Sequence, residues 1–194
     1  MPRERSFSEP EVVDRLADAF TTHGFGGTSM AVLQEATGLG KQSLYNAFGD
    51  KAALYRLAVE GAVARFSAGL SAAQAAPDGR AALALLFERL IEDCRSEQPS
   101  RQRCIVTCGL LEDLDDPALR SLLEHKWLAT HEFIRSQVER GQRDGSIASP
   151  RPSAALADQL MLAVGGLRVM ARVPGGAQRL AHSVAAQLTL LDGP

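Results

Sequence analysis

Between Ser8 and Leu57 the apolar residues recur at helical spacings, but in blocks so short that only small helices can form, and nearly every block is closed by glycine. Val13, Leu16 and Phe20 run at i, i+3, i+7 and stop at His23-Gly24; Met30, Leu33 and Ala36 stop at Thr37-Gly38; Leu44 and Phe48 stop at Gly49. The starts are marked as well. Ser8 with Glu11 reads as a capping box with Pro10 in the first turn, Thr28 or Ser29 caps a second helix, Gly40-Lys41 opens a third, and Asp50 caps a fourth running from Lys51 to about Ala73. Two short helices around a glycine-containing turn are the arrangement by which a helix-turn-helix is recognised.

No stretch alternates polar and apolar residues, so the spacing predicts an all-α chain. Beyond Pro77-Asp78-Gly79, longer amphipathic segments are expected over 80–97, 101–114, from Asp115-Asp116-Pro117 to about Gln142, over 153–172 and over 176–191. They read as a helical bundle. With 194 residues and 45% apolar composition, the chain has material for a core without disulfides. Cys94, Cys104 and Cys108 are odd in number and fit no extracellular framework, no apolar segment follows Arg3 and Arg5, and no 18-residue apolar run occurs. The expected compartment is the cytoplasm, with no membrane contact.

Charge opposes nucleic-acid binding at first sight, because the formal net charge is −2. Residues 1–51 carry Arg3, Arg5, Arg15, Lys41 and Lys51 against Glu4, Glu9, Glu11, Asp14, Asp18, Glu35 and Asp50. Position answers this. Lys41 and Lys51, two of three lysines in the chain, fall in the first turns of the third and fourth helices. A cation there faces the positive end of the helix dipole and loses about 0.3–1 kcal/mol. An incoming phosphate reverses that sign, since backbone donors and a lysine together make an anion site. On the third helix Leu44 and Phe48 turn inward, leaving Lys41, Gln42, Ser43, Tyr45 and Asn46 outward. Gln and Asn pair with adenine, Lys with guanine or phosphate, and Tyr with backbone or a thymine methyl.

Gly24-Phe25, Thr28-Ser29-Met30, Gly38-Leu39, Ser43-Leu44-Tyr45, Phe48, and Lys51 followed by Leu54 resemble the amino-terminal DNA-binding domain of the tetracycline-repressor (TetR) family of bacterial transcription regulators over roughly residues 8–57. The resemblance implies about nine helices per subunit, a helix-turn-helix DNA-binding domain in 1–52, and an effector-binding and dimerisation domain in 53–194. It also implies a homodimer formed through the last two helices. Carried over by position, the DNA contacts fall on Ser29, Lys41, Gln42, Ser43, Tyr45, Asn46 and Lys51. The family often has Ser or Thr where this chain has Gly40, so a cap hydroxyl is missing there.

For an effector pocket the candidates are Phe87, Leu90, Cys104, Cys108, Leu111, Trp127, His131 and Met161, although a stripe of such residues is equally the mark of ordinary packing. Cys104 and Cys108 at i, i+4 on one expected helix, beside Arg101 and Arg103, make redox or electrophile sensing the alternative function. His23, His125, His131 and His182 have no zinc-ligand spacing, and no cofactor, metal or catalytic motif is expected. The leading expectation is therefore a ligand-responsive regulator, not an enzyme, that leaves a palindromic operator when a small molecule binds.

Overall fold

The computed structural model describes residues 8–193; the basic residues Arg3 and Arg5 lie outside them. The described chain is all-α, with ten α-helices where about nine were expected: α1 (Glu9–Gly27), α2 (Met30–Thr37), α3 (Lys41–Phe48), α4 (Lys51–Gln74), α5 (Gly79–Arg95), α6 (Pro99–Gln102), α7 (Ile105–Leu110), α8 (Pro117–Asp144), α9 (Ser153–Met170) and α10 (Gly176–Leu188). By packing, the chain divides into two units. The first holds the described residues through Arg65 together with Gln98–Glu124, and the second holds Phe66–Glu97 with the rest from His125. The segment 1–52 thus shares its compact unit with residues well beyond it.

In the first unit α1 packs on α2, α6 and α7. Its buried stripe is Val12, Leu16 and Phe20 at i, i+4, i+8, whereas Val13 is only half-buried and lies against Gly61 of α4. Ser8 occupies the cap position of α1 without a side-chain cap bond, so the expected capping box does not form. The first helix also does not stop at His23-Gly24 as expected: Gly24 is a non-helical kink inside α1, which continues to Gly27. The signals further along hold. Ser29 Oγ accepts from Val32 N at 3.3 Å, Gly38 ends α2 in the left-handed region, and Asp50 Oδ1 accepts from Ala53 N at 2.8 Å at the head of α4.

The helix expected over 101–114 is broken. Arg103 and Cys104 are extended between α6 and α7; the Arg103 side chain reaches α1, where Nη1 donates to the Thr21 and Thr22 carbonyls, and the Ser100 N–H in the first turn of α6 donates to Asp18 Oδ1 at 2.8 Å. Cys104 therefore precedes α7 and is not within one helix with Cys108.

In the second unit α5, α9 and α10 pack together around Leu83, Leu86, Phe87, Leu90, Leu160 and Met161. The start of α5 is pressed against α8. A Cβ on Gly79 would lie 2.3 Å from both Gln137 O and Gly141 N, so only glycine permits this approach. The Gly79 N–H donates to Asp144 Oδ2 at 3.1 Å, and the hydrogen bonds from Ser146 are the main reason that the Asp144 carboxyl sits below its usual range. Gly79→Ala should lower stability by about 1–3 kcal/mol, read as a reduced urea midpoint, since the new methyl meets backbone that cannot repack.

Candidate nucleic-acid interface

α3 separates its faces as its sequence requires. Leu44 is fully buried, Phe48 half-buried, and Lys41, Gln42, Ser43, Tyr45 and Asn46 are all exposed. The burial of one leucine thus orients five polar side chains. Gln42 Nε2 donates to Asn46 Oδ1 at 2.8 Å across one turn, a bond that leaves hydrogen-bonding capacity on each amide unused. Ser29 is exposed at the cap of α2.

The two lysines stand at the first positions of α3 and α4, with no acidic residue in either first turn. Both rest near aromatic rings, a partnership absent from the sequence reading. Lys51 Nζ lies 4.5 Å from the Phe25 ring centroid and Lys41 Nζ 5.9 Å from that of Tyr45. A cation over an aromatic face gains about 0.5–1 kcal/mol at exposed sites, comparable to the cost of facing the helix dipole.

Phe25 is itself held on several sides. Its ring makes edge contacts with Tyr55 at 5.1 Å between centroids and lies stacked with Phe20 at 6.3 Å, while Tyr55 meets Phe20 edge-on at 5.0 Å. Its N–H and that of Gly26 both donate to Glu112 Oε2, at 2.8 and 3.2 Å. The turn that permits this starts at Gly24, whose φ of 73° favours glycine. Tyr55 is 1% exposed and its hydroxyl has no hydrogen-bond partner. Burial, then the charge of Glu112, pushes its phenol well above the usual range, so it stays neutral.

Residues 12–58, which span α2, α3 and the head of α4, match the family model for bacterial regulatory proteins of the tetR family. The HTH-type transcriptional regulator YezE of Bacillus subtilis is 24% identical, over 99% of this chain and all of that one. Among solved structures, a cysteine mutant of the TetR family regulator CifR in complex with a 26-base-pair operator duplex superimposes with a TM-score of 0.83 at 27% identity, covering 96% of this chain and 97% of that one. A TetR regulator from Chloroflexus aurantiacus gives 0.77 at 25% identity, covering 92% and 90%. Over residues 12–58 the chain thus carries the amino-terminal domain of the tetR family of bacterial regulatory proteins.

With that domain and these relatives, the protein is a DNA-binding transcriptional regulator. The residues expected to line an effector pocket are distributed over both of its packing units. Phe87, Leu90 and Met161 lie in the core of the second unit with Trp127 packed against it, and His131 of the same unit pairs through Nε2 with Asp158 Oδ1 at 2.9 Å. Cys104 and Cys108 are half-buried in the first unit. Leu111 in that unit is 84% exposed and lines nothing there: it follows the end of α7, where the chain turns so that Glu112 meets the Phe25 turn. Among the described residues no group of three metal-ligating side chains occurs, and no helix is long and apolar enough to cross a membrane.

Proposed function

We propose that this regulator binds a palindromic operator as a homodimer and is released from it by a small molecule, as a repressor acting in the bacterial cytoplasm. The observation that carries the DNA-reading part is the outward row Lys41, Gln42, Ser43, Tyr45 and Asn46 on α3, backed by buried Leu44. In this reading Gln42 and Asn46 contact base edges, Tyr45 and Ser43 contact backbone or base, and Ser29, Lys41 and Lys51 hold phosphates on either side. The division into a DNA-contacting 1–52 and an effector and dimerisation part, 53–194, is one of labour and not of packing.

Dimerisation is assigned to α9 and α10. Leu162 and Val169, seven residues apart on α9, are each 69% exposed, a spacing that puts two large apolar groups on one helix face. In this reading a second copy covers that face, and the dimer meets operator half-sites one DNA turn apart, roughly 34–36 Å. A small molecule in the effector part acts by preferring a dimer in which that spacing is lost, and its effect is limited by its difference in affinity for the two forms.

An alternative trigger is oxidation or alkylation of Cys104 or Cys108, favoured by their half-burial within the same packing unit as α2 and α3. If it operates, the double change Cys104→Ser, Cys108→Ser should abolish the loss of DNA binding on peroxide treatment. An unchanged peroxide response rules the cysteines out.

Selection of bound duplexes from random-sequence DNA tests the main reading; recovery of a palindrome is the expected result. On that duplex Gln42→Ala should relax preference at one or two base pairs, costing about 1–3 kcal/mol on the preferred sequence. Lys51→Ala should instead weaken all sequences alike and flatten the salt dependence. Leu162→Asp should leave folding intact, shift the protein to monomer in sedimentation, and weaken operator binding with it.

A further inference from the structure

The contact between Glu112 and the Phe25 turn joins two parts of the chain that are far apart in sequence, and it has no place in the set of expected DNA contacts. Five hydrogen bonds, in three groups, tie residues 100–112 to α1. Asp18 Oδ1 accepts from Ser100 N, Arg103 donates to Thr21 and Thr22 O, and Glu112 Oε2 accepts from Phe25 N and Gly26 N. The first two groups engage α1 before its kink at Gly24. The third engages the last turn of α1 beyond that kink, which leads directly through Thr28 and Ser29 into α2. Glu112 is in turn held by α8, since Arg120 Nη2 donates to its carbonyl at 3.3 Å. Through Phe25, whose ring lies beneath Lys51 Nζ, the carboxylate is one residue removed from a lysine at the head of α4.

We infer that Glu112 is a positioning residue for operator reading: its carboxylate sets the Gly24-Phe25-Gly26 turn and thereby the placement of α2, α3 and Lys51, without touching DNA. This rests on the DNA-reading assignment of α3. Two features make the role separable from charge and from simple stability. Both turn N–H groups converge on the same oxygen, Oε2, so the single carbonyl oxygen of a glutamine reproduces both bonds while the charge is lost. And removing an acidic group from a DNA-binding unit strengthens phosphate attraction by electrostatics alone, the opposite sign to that expected of a positioning residue.

The test uses the full-length protein, the best duplex recovered by selection with wild type, and a random-sequence duplex. Glu112→Ala should weaken the selected duplex about tenfold or more, with little change on random DNA. Glu112→Gln should stay within about threefold of wild type. Asp113→Ala, the adjacent exposed acid, should bind as wild type or slightly tighter. In the DNA-free protein the amide proton resonances of Phe25 and Gly26 should move in Glu112→Ala and be retained in Glu112→Gln. Wild-type or tighter binding by Glu112→Ala overturns the inference, as does Asp113→Ala binding as weakly as Glu112→Ala. If Glu112→Ala does not fold, Glu112→Gln decides: retained amide shifts with retained affinity support the role, and a tenfold loss overturns it. Failure of wild type to select any preferred duplex sinks the DNA-reading assignment instead, and the amide shifts still report on the turn.

Discussion

Phe25 is the residue on which the DNA-facing part of this regulator depends. Its backbone N–H is bonded to a carboxylate, its ring lies among Phe20, Tyr55 and Lys51, and the residue before it has a backbone angle that favours glycine. Hydrogen bonds to charged acceptors contribute about 1.5–3 kcal/mol and aromatic edge contacts about 0.5–1.5 kcal/mol each. These contributions fall on the last turn of α1, beyond the Gly24 kink and just before the link to α2, so the orientation of the helix-turn-helix is set by side chains and not by the turn alone. Tyr55 serves the same cluster from α4 at the expense of a buried hydroxyl without a partner.

The electrostatics follow a similar logic. A chain of net charge −2 has no general attraction for DNA, and the useful positive charge is confined to positions where a helix dipole repels it. The aromatic faces beneath Lys41 and Lys51 offset part of that repulsion in the absence of DNA. In the proposed reading, phosphates would meet lysines already resting against these rings, which lowers the ordering cost of binding.

Local signals made much of this legible in the sequence. The Ser29 and Asp50 caps, the Gly38 stop, the first residues of α3 and α4 and the outward set around Leu44 all depend on residues within a turn of one another. What escaped is long-range. Glu112 is 87 residues from Phe25 and Arg103 is 82 from Thr21, and no periodicity reports such pairs. The helix expected through 101–114 is interrupted where the chain makes these bonds, with Arg103 and Cys104 extended and Cys104 outside α7. Val12 and Val13 are both apolar, and the sequence alone does not separate buried Val12 from Val13, which is half-buried against Gly61 of α4.

The first packing unit is assembled from two stretches of chain, one ending at Arg65 and the other running from Gln98 to Glu124. During synthesis the residues that would read DNA emerge early, yet Arg103, Glu112 and Arg120, which fasten them, emerge only after the whole of α5. Native closure of this unit waits on contacts of high sequence separation, which form slowly. A nascent helix-turn-helix therefore remains loosely fastened until more than half of the polypeptide has been made, and cannot complete its folding ahead of the chain that follows.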